Sequence, residues 1–170
     1  MTSQDTTQRP SLRSQRLNQI THEPHSQLDQ LVKAHAPFET PANFARFVVA
    51  QYLFQSELVA LYNAPELIAL IPDLPAEALG WIFVSEGSKL GAAFLIKRAV
   101  GLGLSETFGA RHLGEPAGGR AEGWKSFIKT LDSLEFSAEE EAAVEKGAID
   151  AFVRFTVLLE QAYASAPELA

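Results

Sequence analysis

The sequence predicts a single all-α domain. Apolar residues recur at helical spacing over most of the 170 residues, and helix-start signals precede several of these runs. No run shows the strict alternation of apolar and polar residues that is typical of a strand. The chain is long enough to bury one hydrophobic core. We therefore expect one helical domain over 11–164, with a disordered leader at 1–10 and a disordered tail at 165–170.

The first two predicted helices have recognisable starts. One begins near Ser11 and continues past Pro24 to about Val32. Because proline removes a backbone hydrogen bond, Pro24 should kink or restart this helix. The second begins at Thr40-Pro41, since threonine is a good cap and proline suits the first turn, and it runs to about Leu61.

The middle of the chain contains the longest apolar run. A short helix over 65–70 and a turn over 71–75 are expected before it. The run then extends as one helix from Pro75 to Gly101 or Gly103. Its length predicts a helix that contributes much of the core.

The remaining chain begins with an irregular, glycine-rich segment that ends at Gly119. A helix through Trp124 follows. Ser137, with Glu140 three residues later, has the spacing of a capping box, which predicts the start of the last helix. This helix should end near Tyr163.

The composition narrows the range of functions. A net charge of −7 argues against general nucleic-acid binding, which needs an excess of Lys and Arg. The chain has no cysteine, which excludes disulfides, thiolate metal sites and cysteine nucleophiles. Charged residues interrupt each apolar run, and the N-terminal residues lack an apolar signal-peptide core. We expect a soluble, cytoplasmic protein.

The most informative motif is the stretch Ser85–Ala93 inside the long apolar helix. Gly87 and Gly91 lie on one face of this helix, although a glycine in a helix costs roughly 1 kcal/mol relative to alanine. The bare strip of backbone would admit either another helix or a flat ligand. Close helix packing is the commoner use of such a pair. The acid and the two hydroxyl residues around Gly87 argue against a pure packing contact.

His25 has the most suggestive setting of the four histidines. It lies at the edge of the apolar stripe of its helix, and Asp29 follows four residues later on the same face. Such an acid can accept a hydrogen bond from the imidazole of a metal ligand and fix its tautomer. From spacing alone, a half-exposed surface histidine is the simpler interpretation. The other histidines lack the spacing of a zinc site, and no hydrolase motif is present.

His25 with an acid four residues later, followed downstream by Glu-Gly-Ser-Lys-Leu-Gly-Ala-Ala, resembles the haem oxygenases, and in particular their bacterial branch. The stretch Leu12–Lys33 is similar to the proximal helix of that family, and Leu79–Arg98 is similar to its distal helix. The resemblance covers nearly the whole chain. It implies an all-α, haem-oxygenase-like helical bundle in which haem lies between the proximal helix and a kinked distal helix.

The resemblance also implies roles for particular residues. His25 would be the axial ligand of the haem iron, with Asp29 beside it where the family commonly has Glu. Gly87 and Gly91 would bring the distal backbone against the haem face and leave room for dioxygen, and Ser88 lies between them; these three are the catalytic candidates. The other candidates for haem contact are Asn18, Asp29, Lys33, Phe83, Arg98 and Phe155. Among these, Lys33 and Arg98 match positions that bind the haem propionates, although without the resemblance they would be taken for solvated surface charges.

The implied activity is oxidative cleavage of haem to biliverdin, carbon monoxide and free iron, with haem as both substrate and cofactor and dioxygen as oxidant. Electrons would come from an external donor such as a ferredoxin or a flavoprotein reductase. Gln51 and Gln55 would help to order water on the distal side. We expect a monomer that serves iron acquisition and has no nucleic-acid or membrane partner.

Two alternatives stay open. One is a haem-binding or haem-trafficking protein without turnover, and the other is a structural helical domain in which the glycines only pack helices. The chain also departs from the family in one respect. Ile71–Pro75 joins the second helix to the distal helix in a few residues, where family members usually have extra helical residues. The departure leaves every candidate residue in place and bears on how well the distal side is shielded.

Overall fold

The computed structural model describes residues 12–62, 75–114 and 118–164. Within these ranges the chain forms five α-helices: α1 (Arg13–His35), α2 (Pro41–Tyr62), α3 (Ala76–Ala99), α4 (Arg120–Ser133) and α5 (Ala138–Ala164). Two short 3₁₀ turns, Val100–Leu102 and Arg111–Leu113, lie between α3 and α4. The described residues contain no β-strand. The prediction of an all-α fold is confirmed.

The capping hydrogen bonds expected at two predicted helix starts are present in the structure. The Asn43 amide donates to Thr40 Oγ1 at 3.1 Å, and α2 begins at the proline between them. At the start of α5, the Ser137 amide donates to Glu140 Oε1 at 3.1 Å, and the Glu140 amide donates to Ser137 Oγ at 3.2 Å. This reciprocal pair is the predicted capping box.

Some predicted features lie outside the described residues. These are the cap at Ser11, the short helix at 65–70, most of the turn at 71–75 and the two chain ends. Within the described part, α1 continues through Pro24 as one unbroken helix, so the proline does not restart it.

Three clusters of apolar side chains show how the helices are arranged. The first halves of α1 and α3 meet α4 and the start of α5 in the first cluster, which includes Leu17, Leu79, Phe127 and Val144. Their second halves meet α2 and the end of α5 in the second cluster, which includes Leu28, Phe44, Ala92 and Leu159. A third, smaller cluster joins α2 and α5 around Phe54, Ala151 and Leu158. Helices α1, α3 and α5 therefore run in the same direction, and α2 runs opposite to them.

A pair of glycines brings α3 and α5 into backbone contact. A β-carbon built on Gly80 would lie 2.1 Å from the Val144 carbonyl oxygen and 2.3 Å from the Ala148 amide nitrogen. A β-carbon on Gly147 would lie 2.1 Å from the Glu77 carbonyl oxygen. These distances are far inside van der Waals contact, so only glycine fits at this crossing.

Helix α1 is anchored at both ends. At its start, the buried Arg13 side chain donates to the Glu141 carboxylate, with N–O distances of 2.9 and 2.6 Å. At its end, the His35 ring stacks on Tyr163 of α5, with ring centroids 4.2 Å apart. Burial raises the pKa of Tyr163 to about 12, and its hydroxyl donates to the Asn43 carbonyl at 2.8 Å. These contacts fix α1 against α5.

Among the described helices, the segment Ala76–Leu102, which contains α3, is long and apolar enough by length and composition to cross a membrane, with a mean hydropathy of 1.3. The core helix of a soluble protein passes the same test. Leu79, Ile82 and Phe83 of α3 are buried in the first cluster, whereas Phe94 is 74% exposed, and one third of the apolar window is buried within the protein. A single helix of this kind is weak evidence for a membrane span.

Candidate functional site

Helices α1 and α3 lie apart from each other, and the space between them is here termed the gap. Both helices reach the first and second clusters at their ends, through α2, α4 and α5, but they make little direct contact with each other in the described chain. Residues 21–27 of α1 have no apolar side chain except Pro24, and 85–91 of α3 have only Leu90, so no apolar cluster joins the two helices through these segments. We infer that the gap lies at the level of His25 and of the glycine motif.

His25 lies on the α1 side of this gap. Its ring meets the ring of Phe152 edge-on, with centroids 5.9 Å apart and an interplanar angle of 81°. Phe152 is buried on α5, which packs on both α1 and α3, so this ring marks the bottom of the gap. The His25 side chain is 62% exposed. An incoming ligand can therefore reach the imidazole.

Asp29 is close to the inner nitrogen of His25. The distance from His25 Nδ1 to Asp29 Oδ2 is 3.4 Å, which is longer than an ordinary hydrogen bond. Both side chains are more than half exposed, so water screens the attraction between them. His25 Nε2 has no hydrogen-bond partner among the described residues. The ring thus presents Nε2 outward with an acid behind it.

Gly87 and Gly91 do not bring two helices together. A β-carbon on Gly91 would meet no described atom within 4 Å, and one on Gly87 would meet the Trp124 ring at an ordinary contact distance of 3.8 Å. Close contact with the backbone of another helix is therefore absent at both glycines within the described chain, and Gly87 meets only a side chain of α4. Such contact is found instead at Gly80 and Gly147, which the sequence analysis did not single out. The sequence pattern that could have indicated this crossing is the group of small residues Gly147, Ala148 and Ala151 on α5.

The polar residues of the glycine motif are bonded inside the protein. Ser88 Oγ donates to the Ser85 carbonyl at 2.6 Å, and Lys89 pairs with Glu86 at 2.7 Å. The buried hydroxyl of Ser85 accepts from Gln55 Nε2 of α2 at 2.9 Å. Helix α3 is continuous from Ala76 to Ala99, and a hydroxyl that bonds back to its own helix, as that of Ser88 does, often accompanies a bend. Because its proton is engaged, Ser88 offers a ligand mainly an acceptor.

The predicted cations and Asn18 mark opposite ends of the gap. Lys33 and Arg98 are exposed near the ends of α1 and α3, beside the second cluster. The Arg98 guanidinium lies 4.4 Å from the centroid of the Phe38 ring, which belongs to that cluster. Asn18 is exposed near the start of α1, beside the first cluster. The positive charge is therefore concentrated at one end.

The two predicted aromatic residues also occupy different ends. Phe83 is buried in the first cluster, and its ring centroid lies 5.6 Å from that of Trp124. Phe155 is half-buried on α5, packs against the second cluster and meets Phe54 edge-on at 5.6 Å. Trp124, which the sequence analysis placed on a helix without a role in the site, lies next to two candidate residues.

The donor set suits a metal that brings most of its own ligands. Within the described ranges, no group of three or more His, Asp or Glu side chains comes together to hold a metal ion. The gap offers a single exposed imidazole, an open glycine backbone, aromatic side chains and two cations. One axial imidazole with cations for carboxylates is what a haem requires of a protein. The residues present fit that group.

Comparisons with known proteins agree with this chemistry. The profile of the haem oxygenase family matches residues 63–161. Haem oxygenase PigA from Pseudomonas aeruginosa is 51% identical over 189 residues, which cover 92% of this chain and 96% of that protein. A haem oxygenase from Neisseria meningitidis, solved with NO and CO bound, has a TM-score of 0.82 and 29% identity, and covers 92% of this chain and 94% of its own.

The Pseudomonas alignment also gives the relative lengths of the two proteins. Ninety-two per cent of the 170 residues is about 156, so about 33 of the 189 aligned positions have no counterpart in this chain. The relative is thus the longer protein within the aligned region. The family profile matches more than half of the chain, and the Pseudomonas relative is similar over most of both sequences. The chain therefore belongs to the haem oxygenase family, and it is an enzyme that binds haem and cleaves it.

Proposed function

We propose that this enzyme converts haem to biliverdin, carbon monoxide and free iron, with dioxygen as oxidant and His25 as the axial ligand of the iron. One observation carries the proposal. The exposed imidazole of His25 and the open backbone at Gly91 lie on α1 and α3, two helices that make little direct contact with each other.

The surroundings of His25 favour a ligating imidazole. The negative charge of Asp29 beside Nδ1 favours the tautomer with its proton on Nδ1, which leaves the lone pair on Nε2. The edge of Phe152 limits rotation of the ring from below. When bound, haem supplies both the iron that reacts with dioxygen and the ring that is opened.

The α3 side of the gap supplies space rather than reactive groups. Gly91 has no side chain and no described atom within 4 Å of its β-carbon position, which leaves room for a diatomic molecule beside the backbone. The Neisseria relative was solved with two diatomic ligands, NO and CO. Ser88 is exposed beside this space, and its Oγ can accept a hydrogen bond from water there.

The charged end of the gap fits the substrate's carboxylates. Lys33 and Arg98 are both exposed and can turn toward two propionate groups. Arg98 already lies over the Phe38 ring, which holds its stem at this end. The cations thereby orient the substrate.

The proposal also covers the electron donor, the oligomeric state and the cellular location of the enzyme. With no cysteine, the chain cannot hold an iron–sulfur cluster through thiolates, so an external ferredoxin or flavoprotein reductase supplies the electrons. We propose a monomer. We place the enzyme in the cytoplasm, where the iron that it releases serves iron acquisition.

Adding ferric haem to the purified protein, followed by reductant and air, tests the reaction. We expect a Soret band that then disappears as the absorption of biliverdin develops and carbon monoxide is released. A Soret band that persists under reductant and air would indicate a haem-binding protein without turnover. The absence of a Soret band would contradict haem binding in this gap.

His25→Ala tests the axial ligand. We expect the variant to lose the spectrum of imidazole-ligated haem and its turnover, and added imidazole to restore the spectrum. His22→Ala is the matched control, because His22 is exposed on the same helix three residues earlier. A haem spectrum of His25→Ala identical to that of the wild type would show that the ligand assignment is wrong.

A further inference from the structure

The position of Trp124 gives it a part in the site. Its ring atoms Cη2 and Cζ3 both lie 3.8 Å from the β-carbon position of Gly87. Its ring centroid lies 5.6 Å from that of Phe83 and 6.0 Å from that of Phe127. Trp124 thus contacts two residues of α3 that border the gap, although it belongs to α4.

Helix α4 closes one end of the gap. It packs on both α1 and α3, and its apolar residues join the first cluster. Phe127 and Leu131 are fully buried there, whereas Trp124, one turn earlier, is half-buried. Trp124 is therefore the point on α4 at which the core ends and the gap begins.

The two ends of the gap differ in chemistry. Trp124 and Phe83 form an aromatic wall at the end beside the first cluster. Lys33 and Arg98 place two exposed cations at the end beside the second cluster. A flat molecule with carboxylates on one edge and apolar groups on the other gains most when its apolar edge meets the aromatic wall.

We propose that Trp124 is a substrate-positioning residue that forms the end wall of the gap, contacts the vinyl-bearing edge of haem and fixes the rotation of the ring in its own plane. This inference rests on the proposed function, since it names the edge of the same substrate. It assigns no chemical step to Trp124. The indole acts through contact area and shape.

The test compares two porphyrins with two proteins. Deuterohaem carries hydrogen in place of both vinyl groups of haem. For the wild type we expect ferric haem to bind roughly three- to tenfold more tightly than ferric deuterohaem, the size of effect that burying a few carbon atoms gives. In Trp124→Ala this ratio should fall toward one. Equilibrium Soret titrations measure it without turnover.

Two further variants complete the design. Trp81→Ala removes the same side chain from the third cluster, where it stacks on Phe54 at 6.1 Å, and it should keep the wild-type ratio. Trp124→Phe keeps an aromatic ring but shortens its reach toward Gly87, so it provides the comparison if Trp124→Ala does not fold. As a second measurement, both Trp124 variants should change the proportions of the biliverdin isomers.

The outcomes separate the inference from the proposed function. One possible result is a folded Trp124 variant that keeps the same ratio of the two dissociation constants as the wild type, and the same isomer proportions. That result would overturn the role of Trp124 and leave the proposed function intact. So would a wild type without preference between the two porphyrins. A wild type that binds neither porphyrin would instead overturn the proposed function itself.

Discussion

At the scale of single residues, glycine has two opposite uses in this protein. Gly80 and Gly147 have no side chain because the backbone of another helix occupies the space. Gly91 has no side chain, and the space beside it is open. The sequence alone identified the second use only through the polar neighbours of the motif, since spacing does not tell which element faces a glycine.

Gly91→Leu should separate binding from stability. The side chain would extend into open space, and the loss of a helix glycine should keep or raise the free energy of unfolding by up to about 1 kcal/mol. We expect haem affinity to fall at least tenfold, because the isobutyl group occupies the gap. Soret titration and urea denaturation measure the two effects.

Gly123→Leu is the control for this variant. Gly123 is also a helix glycine, on α4, with no described atom within 4 Å of its β-carbon position. It should gain similar stability and bind haem as the wild type does. Wild-type haem affinity in Gly91→Leu would contradict an open substrate surface at this position.

At the scale of helices, the sequence predicted where helices begin better than it predicted which helices contact each other. Thr40 and the pair Ser137 and Glu140 set the beginnings of two helices through local hydrogen bonds, and a local pattern can be read from sequence. The crossing of α3 and α5 depends on residues about 67 positions apart, so no local pattern contains it. The same reason explains why Trp124 was placed on the correct helix but not at the site.

Gly147→Ala should strongly destabilise the fold through this crossing. The added methyl group would lie 2.1 Å from the Glu77 carbonyl oxygen, and backbone cannot move aside as a flexible side chain can. Overpacking of this kind costs about 1–3 kcal/mol or more. Urea denaturation measures the loss, with Gly123→Ala as the control that should not lose stability. Equal stability of Gly147→Ala and the wild type would contradict the close contact of the two helices.

At the scale of the whole molecule, ion pairs join helices that are distant in the chain. Arg154 of α5 holds Glu57 of α2 with two parallel hydrogen bonds, one of them 2.6 Å long from Nε to Oε2. The hydrogen bond from Arg154 is the main cause that lowers the pKa of Glu57 below its ordinary value of 4.5. Stability from this pair is therefore present above pH 4.5 and is lost as the pH falls through the lowered pKa.

Glu57→Gln should remove this pH dependence. Both side chains are about 40% exposed, so the effect at neutral pH should stay below about 1 kcal/mol. We expect the difference in unfolding free energy between wild type and variant to shrink below pH 4.5. Chemical denaturation at pH 7 and at pH 3.5 measures it. A constant difference at both values would contradict the role of the pair.

The site residues stay a prediction. The glycine motif was singled out by its spacing within a helix, whereas the roles of His25 and of the two cations came from a resemblance that covers most of the chain; spacing alone favoured a surface histidine. The gap between α1 and α3 depends on how both helices pack against α5, which no segment of sequence encodes by itself. The position of Trp124 beside the gap could not be predicted from the sequence for the same reason.

The walls of the gap have one more consequence. They consist of glycine, phenylalanine and tryptophan, the chain has no cysteine, and its single methionine is residue 1. In the proposed reaction, dioxygen, reducing equivalents and released iron together generate oxidants, and sulfur-containing side chains are among the first to be damaged. No residue that the structure describes can form a sulfoxide or a sulfenic acid, so repeated turnover should spare the described part of the site, with the indole of Trp124 as its most oxidisable side chain.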